Sequence, residues 1–286
     1  MSKNSIFLLF RNILIFLMLL FVMVDKGNAQ SVCREPDSMK IVKNGIKAMT
    51  VYEYNYSELR RTPSHKYYYK HFDRDGRVTA KNEYSPGRSP YQTKFNYNDA
   101  GNLTAELTFD PYEQTYYKVS YRYDAAGNPV EKTHFDVFGR VEYKNVLKYD
   151  DAGKPMEEGV FDLAVKLSSR DVFSYNEEGK LMEAKMFYTD GKMAYRVAYN
   201  YDAKGRCSEV VRYSAKDSSV SMKWLYQYDD ADNMIEELSI DRNGEAMDKF
   251  TFKYDKKGDV KEQMYYYPAN TPRLKYTFKY SFYKKK

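Results

Sequence analysis

The chain has 286 residues, a net charge of +6 and a mean hydropathy of −0.77, with 31 Tyr and 16 Phe against a single Trp. The low hydropathy excludes a thick aliphatic core, so the chain has to bury aromatic rings, which carry large apolar areas. Abundant aromatic residues favour an all-β fold. The positive charge is spread along the chain and gives no argument for a nucleic-acid partner.

Residues 1–29 have the pattern of a secretory signal peptide. Lys3 and Arg11 supply positive charge, an apolar run covers Ile13 to Val24, and small residues precede a cleavage point after Ala29. An uncleaved membrane anchor is the alternative. No later apolar stretch is long enough to cross a membrane as a helix. We therefore expect an exported protein, located in the periplasm, at the cell surface or outside the cell.

Two cysteines, Cys33 and Cys207, follow the predicted cleavage point. An even number of cysteines in an oxidising compartment permits one disulfide. The alternative is that both are unpaired and that Cys207 is a small core residue. The sequence leaves the two possibilities open.

A repeat of 26 residues, once lengthened to 27, covers residues 66–286. Each copy has a tyrosine in the same place, here called the key tyrosine, with another large apolar residue two positions before it. The key tyrosines are Tyr97, Tyr123, Tyr149, Tyr175, Tyr201, Tyr228, Tyr254 and Tyr280. Residues two apart lie on the same face of a strand, so this pattern indicates β-structure with one aromatic face.

Turn residues follow each key tyrosine. Asp or Asn comes one position later and Gly four positions later, as in Asp124, Asp150, Asp202, Asp229 and Asp255, and in Gly101, Gly127, Gly153, Gly179, Gly205 and Gly258. The acidic or amide side chain accepts hydrogen bonds within the turn, and Gly takes the left-handed position. Asp232 is the exception at the Gly position.

The pattern therefore predicts that each unit forms a strand, a turn, a second strand and a second turn. We expect an all-β array of roughly 16 to 18 strands in one long antiparallel sheet, coiled or spiralling in the manner of a solenoid. Residues 30–65 do not fit the repeat and are interpreted as an N-terminal cap. A β-propeller is a further alternative, because two units are long enough for one blade.

Glutamates form another column, eight residues after the key tyrosine. They are Glu131, Glu157, Glu183, Glu209, Glu236 and Glu262. The even spacing predicts that this carboxylate ladder lies on the aromatic face. Its glutamates would accept hydrogen bonds from tyrosine hydroxyls or turn amides, or would line a groove for a cation or a sugar.

Residues 121–128 and 199–206, with their Tyr-Asp-x-x-Gly core, resemble the YD repeat of Rhs and teneurin-type proteins. The resemblance implies a long antiparallel sheet that coils into a shell, with roles in toxin encapsulation, cell-surface adhesion or carbohydrate binding. This chain is short and lacks a recognisable self-cleaving core, so surface interaction is the role that we carry over.

The sequence contains no catalytic, metal-binding or cofactor-binding motif that we can identify. Its three histidines have no metal spacing, and one Asp per turn supplies too few oxygens for calcium. We therefore predict no enzyme activity, no metal and no cofactor. If the protein were an enzyme, the breaks in the pattern at Asp171, Asp232 and Asp248 would be the first candidates.

These observations predict an exported repeat protein that presents an extended sheet surface for binding or scaffolding at the cell envelope. Its partner would be a protein or a glycan of the envelope. A carbohydrate-binding module and an outer-membrane β-barrel are the alternatives. Charges on both faces of many strands are unfavourable for the barrel, which needs a lipid-facing apolar band.

Overall fold

The computed structural model describes residues 38–56, 64–162 and 166–284. The signal peptide and Cys33 lie outside the described residues. One short helix, α1 (Ser38–Asn44), precedes 18 strands. The strands are β1 Ile46–Asn55, β2 His65–Phe72, β3 Val78–Glu83, β4 Tyr91–Tyr97, β5 Leu103–Asp110, β6 Thr115–Tyr123, β7 Pro129–Phe135, β8 Val141–Tyr149, β9 Pro155–Phe161, β10 Leu167–Tyr175, β11 Leu181–Tyr188, β12 Met193–Tyr201, β13 Cys207–Ser214, β14 Val220–Tyr228, β15 Met234–Asp241, β16 Ala246–Tyr254, β17 Val260–Tyr266 and β18 Pro272–Phe282.

The sheet closes on itself. Each strand from β2 to β18 is antiparallel to the next, and β1 pairs with both β18 and β2. The all-β class and the strand count agree with the sequence, but the predicted open, spiralling sheet is wrong, and so is the propeller. The described residues form a closed 18-stranded barrel, in which none of these strands has a free edge.

Strand β1 makes this closure possible, and it comes from the segment predicted to be an N-terminal cap. Val51 lies opposite Phe278 of β18 on one side and Tyr68 of β2 on the other. The first and last strands of the meander therefore meet through β1 rather than directly. Residues 30–65, interpreted from the sequence as an N-terminal cap, thus include a strand of the barrel.

The turns after the key tyrosines have the predicted chemistry. Asp124 Oδ1 accepts hydrogen bonds from the backbone N–H groups of Ala126 (2.9 Å) and Asn128 (2.8 Å). Gly127 has a φ of 84°, in the left-handed region. Asp232, the exception in the sequence, takes the same conformation with a φ of 61°. Asp232 Oδ1 accepts a hydrogen bond from Arg206 Nη1 at 2.6 Å. This break in the pattern therefore stabilises two neighbouring turns.

Replacing Gly127 with Ala is expected to lower the free energy of unfolding by about 1 kcal/mol. A Cβ atom at Gly127 meets nothing within 4 Å, so the cost comes from the left-handed backbone alone. Urea denaturation measures the change. The control is Gly127→Asn, which tolerates this conformation better and should cost less. Equal denaturation midpoints for Ala and Asn would contradict the explanation.

The aromatic columns face the inside of the barrel. Leu147, Phe173 and Tyr199, each two residues before a key tyrosine, are buried, whereas the residues between them and the key tyrosine are exposed. The key tyrosines are half-buried, and their hydroxyls donate to carbonyls on the preceding strand, as Tyr149 does to Pro129 O at 2.7 Å. These hydroxyl bonds tie each even-numbered strand from β4 to β18 to the odd-numbered strand directly before it.

Helix α1 lies at the end of the barrel where the key tyrosines are found, here called the helix end; the opposite end is the far end. Ile41 packs with inner residues such as Phe72. Lys40 Nζ donates to Gly258 O at 3.2 Å, and Asn44 Nδ2 donates to Asp259 Oδ1 at 2.8 Å. The helix therefore contacts both the inner wall and the turns, and it covers part of this end.

Candidate functional site

The predicted carboxylate ladder lies on the outer face, not on the aromatic face. Glu131 stands directly opposite Arg122, and Glu157 stands opposite Lys148. Arg122 and Lys148 are exposed and come one residue before an inward key tyrosine, so they point outward. Their glutamate partners share that face.

A shift in strand register explains the error. Tyr123 pairs with Pro129, but the next pair is Arg122 with Glu131, so β7 contributes one extra residue after the turn. Counting alternation across a bulge reverses the assignment of every later residue in the strand. The same shift occurs beside Tyr149, Tyr201 and Tyr254.

Cations flank most of the outer glutamates. Glu157 lies 2.8 Å from Lys148 Nζ and 3.4 Å from Arg170 Nη1. The other ion pairs of this column are Glu131 with Arg122 and Lys144, Glu183 with Lys185 and Arg196, Glu209 with Lys223, and Glu262 with Lys253 and Lys275. These contacts favour a structural role, and the pairing keeps the ladder off the inner aromatic face.

Replacing Glu183 with Gln should lower the free energy of unfolding by less than about 1 kcal/mol, because ion pairs near the surface are screened by water. Its partners Lys185 and Arg196 lie within 2.9 Å but are themselves partly exposed. Urea denaturation in low salt and in 1 M salt tests this. The difference from the unsubstituted protein should shrink as salt is added; a large loss that salt leaves unchanged would contradict it.

The polar groups of the inner wall form a different column, nine residues after the key tyrosine. This inner polar row consists of Glu106, Lys132, Glu158, Glu237 and Gln263, with Ala184 and Val210 in the two remaining places, and of Lys81, which stands nine residues after Phe72. The strand pairing shows that these side chains face the inside of the barrel. Lys132 lies opposite the inward-facing Tyr121, and Glu237 lies opposite the inward-facing Tyr226. Sequence reasoning missed the row because its members differ in charge and type. Allowing for one bulge after each turn would have revealed it.

Glu158 is the most deeply buried acid of the row, with an exposed fraction of 0%. Asn145 Nδ2 donates to its Oε1 at 2.7 Å, whereas its Oε2 is buried and accepts no hydrogen bond from any residue in the described ranges. Asp171 stands directly opposite on β10. Burial, with a smaller contribution from the facing Asp171, raises the pKa of Glu158 to about 7 against the opposing effects of Asn145 and Lys132.

Asp171 is a second acid of the inner wall whose pKa is raised. Burial raises its pKa to about 7 as well. Two facing carboxyl groups with raised pKa values share protons near neutral pH, since ionising both would place two like charges side by side. We call Glu158 and Asp171 the carboxyl pair. The break in the pattern noticed at Asp171 thus belongs to a cluster on the inner wall.

Lys132 lies between two acids of the row. Its pKa is lowered by burial, while the charges of Glu106 and Glu158 act in the opposite direction. Within residues 38–56, 64–162 and 166–284, no carboxylate comes within ion-pairing distance of its ammonium group. Glu106 is instead bonded at 2.6 Å by the hydroxyl of Tyr121. Lys132 and Glu158 are therefore close enough to affect each other electrostatically without forming an ion pair.

Aromatic rings line the wall towards the far end. The His134 and Tyr143 rings stack with centroids 4.2 Å apart. Burial lowers the pKa of His134 to about 3, so its ring is neutral. Tyr117, Tyr143 and Tyr195 are half-buried although they face inward. Asp248, another predicted break in the pattern, accepts a hydrogen bond from Tyr265 at 2.7 Å on the same wall.

Cys207 is a buried residue of the inner core, and burial raises the pKa of its thiol to about 11. Cys33 lies outside the described residues, so their pairing stays a prediction. The described ranges contain no group of three or more potential metal ligands. Among the same residues, no helix is long and apolar enough to span a membrane.

No protein-family model matches the chain, and no curated protein matches it. A porin-like protein from Bacteroides uniformis aligns over 82% of this chain and 98% of its own, at 12% identity and a TM-score of 0.46. One from Bacteroides vulgatus covers the same shares at 13% identity and a TM-score of 0.36. A Photorhabdus luminescens Tc holotoxin pore aligns over 76% of this chain and 15% of its own, at 13% identity and a TM-score of 0.30.

At these TM-scores the likenesses carry no argument, and the barrel is established by its own strand pairing. The resemblance to YD-repeat proteins stays a prediction, because none of these comparisons names that family. The absence of catalytic activity also stays a prediction, because none of these comparisons tests it.

Proposed function

We propose that this protein is an exported β-barrel of the cell envelope that binds a glycan inside its lumen. The observation that carries the proposal is the inner wall itself, where the half-buried rings of Tyr117, Tyr143 and Tyr195 keep accessible area although the barrel encloses them. Aromatic faces beside polar groups are what saccharides stack on and bond to. The binding surface is thus an enclosed wall rather than the predicted open sheet.

The closed barrel fits the outer-membrane alternative better than it fits an extended sheet, so that alternative is the second candidate. A membrane barrel needs an outward apolar band about 25 Å tall. Here the outer face carries a row of cations midway along the strands, comprising Lys144, Arg170, Arg196, Lys223, Lys249 and Lys275. Charges at that depth are costly in lipid, which favours an outer wall facing water.

Cationic side chains also cover aromatic rings on the outer face. The Arg196 guanidinium lies 4.0 Å from the centre of the Tyr213 ring, and Lys249 Nζ lies 4.8 Å from that of Tyr266. These contacts keep the charges on the wall and hide part of the apolar area. The outer rings are therefore poor contacts for lipid chains.

Fractionation distinguishes the two candidates. We expect the exported protein to be released from the envelope without detergent and to elute as a discrete species in aqueous buffer. Recovery only in detergent, from an outer-membrane fraction, would favour the membrane barrel instead.

A glycan array probed with the purified protein at low and high salt tests the binding function. We expect a hit that survives high salt, since stacking on aromatic rings is insensitive to ionic strength. A hit lost in salt would point to attraction by surface charge alone. No binding to any glycan would overturn the proposed function and direct the search to protein partners.

A further inference from the structure

The inner wall between β5 and β10 contains charged groups of both signs at close range. Lys132 is flanked by Glu106 and Glu158, and Glu158 faces Asp171. Glu158 is wholly buried, and its Oε2 has no hydrogen-bond partner among the described residues. A buried acceptor left in this state costs free energy, so a donor supplied from outside would stabilise it.

The charges restrict what that donor can be. An anionic ligand would be repelled by the carboxyl pair and by Glu106, whereas a cationic ligand would be repelled by Lys132. A neutral molecule with adjacent hydroxyl groups can hydrogen-bond to the negative and to the positive groups, because each hydroxyl can donate to a carboxylate and accept from an ammonium group.

Aromatic surface is available on the same strands. Tyr121 lies directly opposite Lys132, and Tyr143 is on β8, the strand that carries Asn145. The stacked His134 ring is neutral, so it adds no charge to this surface. A ring-shaped ligand can therefore stack at the wall while its hydroxyls reach the charged groups.

We propose that Lys132, Glu158 and Asp171 form a saccharide subsite on the inner wall, in which the carboxyl pair accepts hydrogen bonds from two neighbouring hydroxyls and Lys132 donates to one of them. This inference rests on the proposed function and assigns it to particular residues. Asn145 is a positioning residue, since it holds Oε1 of Glu158 and leaves Oε2 to the ligand.

The test measures the dissociation constant of the strongest neutral glycan from the array for three variants, Glu158→Gln, Asp171→Asn and Lys132→Met. Each is expected to bind about tenfold more weakly, because each loses a hydrogen bond to a charged group. Glu157→Gln is the matched control: it is the adjacent residue, carries the same chemical change and lies on the outer face. Its affinity should be unchanged.

Near-ultraviolet circular dichroism before each titration shows whether a variant has kept its tertiary packing. Glu158→Gln keeps the oxygen that Asn145 bonds, so it is the variant expected to fold best. Unchanged affinity in all three folded variants would overturn the subsite while leaving lumenal glycan binding intact. Equal weakening by Glu157→Gln would also overturn it, whereas no glycan binding by the unsubstituted protein would remove the proposed function itself.

Discussion

Replacing Val51 with Asp is expected to lower the free energy of unfolding by about 3 kcal/mol or more, or to prevent folding. Val51 has an exposed fraction of 0% and lies in β1, the strand that joins the two ends of the meander. Its neighbours across the ladder are Phe278 and Tyr68, so a carboxylate there meets aromatic rings rather than a cation.

The matched control is Thr50→Asp, one residue earlier on the outer face. Thr50 lies opposite Lys279, which gives the new carboxylate a cation on the water side. Urea denaturation should leave this variant close to the unsubstituted protein and shift Val51→Asp to a much lower midpoint. Similar midpoints for both would mean that β1 contributes little to closing the barrel.

Protonation of the carboxyl pair is expected to make the barrel more stable at pH 5 than at pH 8. The pKa of Glu158 is raised to about 7 by burial and by Asp171, above its unfolded value of 4.5. The folded state thus favours the protonated acid. That stabilisation is fully present below about pH 4.5 and is lost as pH rises through 7, by about 3 kcal/mol for this group.

The groups facing Glu158 act on its pKa in both directions. Asp171, on the adjoining strand β10, also has a raised pKa of about 7, while Lys132 opposes the shift and Asn145 holds one oxygen. Burial raises the pKa of the Tyr149 hydroxyl on β8 to about 12, and the charges of Asp124 and Glu158 act in the same direction. Because the two acids are coupled, the loss from the pair is smaller than twice that from one.

Asp171→Asn should therefore be more stable than the unsubstituted protein at pH 8 and nearly equal to it at pH 5. The outer-face variant Glu157→Gln should show no such gain at pH 8. Urea denaturation at both pH values gives the free energies to compare. If Asp171→Asn lowered stability equally at the two pH values, the pair would be ionised in the folded protein and its assigned protonation would be wrong.

Local features of this fold could be predicted from the sequence. The turn at Asp124 and Gly127 depends only on residues within five positions of each other, because Asp caps the turn and Gly takes the left-handed φ. Aromatic residues two apart, such as Tyr121 and Tyr123, lie on one face as alternation requires. The hairpins and the number of strands follow from these rules.

The faces of the odd-numbered strands could not be assigned by the same counting. One extra residue beside each turn, as between Pro129 and Glu131, moves the rest of the strand to the opposite face. Glu157 was therefore predicted to face the aromatic side and in fact pairs with Lys148 outside, while its neighbour Glu158 points inward. A bulge is a property of the pairing between two strands, and a single strand does not specify it.

The sequence by itself determined a tyrosine-rich, all-β chain of repeated hairpins, since spacing and turn residues act over short distances. Only the tertiary structure decided that the sheet closes, because closure depends on β1 pairing with β18, more than two hundred residues away. Closure also decided which face became the interior. Pairing of consecutive strands brought Lys132, Glu158 and Asp171 together on β7, β9 and β10, where burial shifts their pKa values and gives the barrel its candidate site.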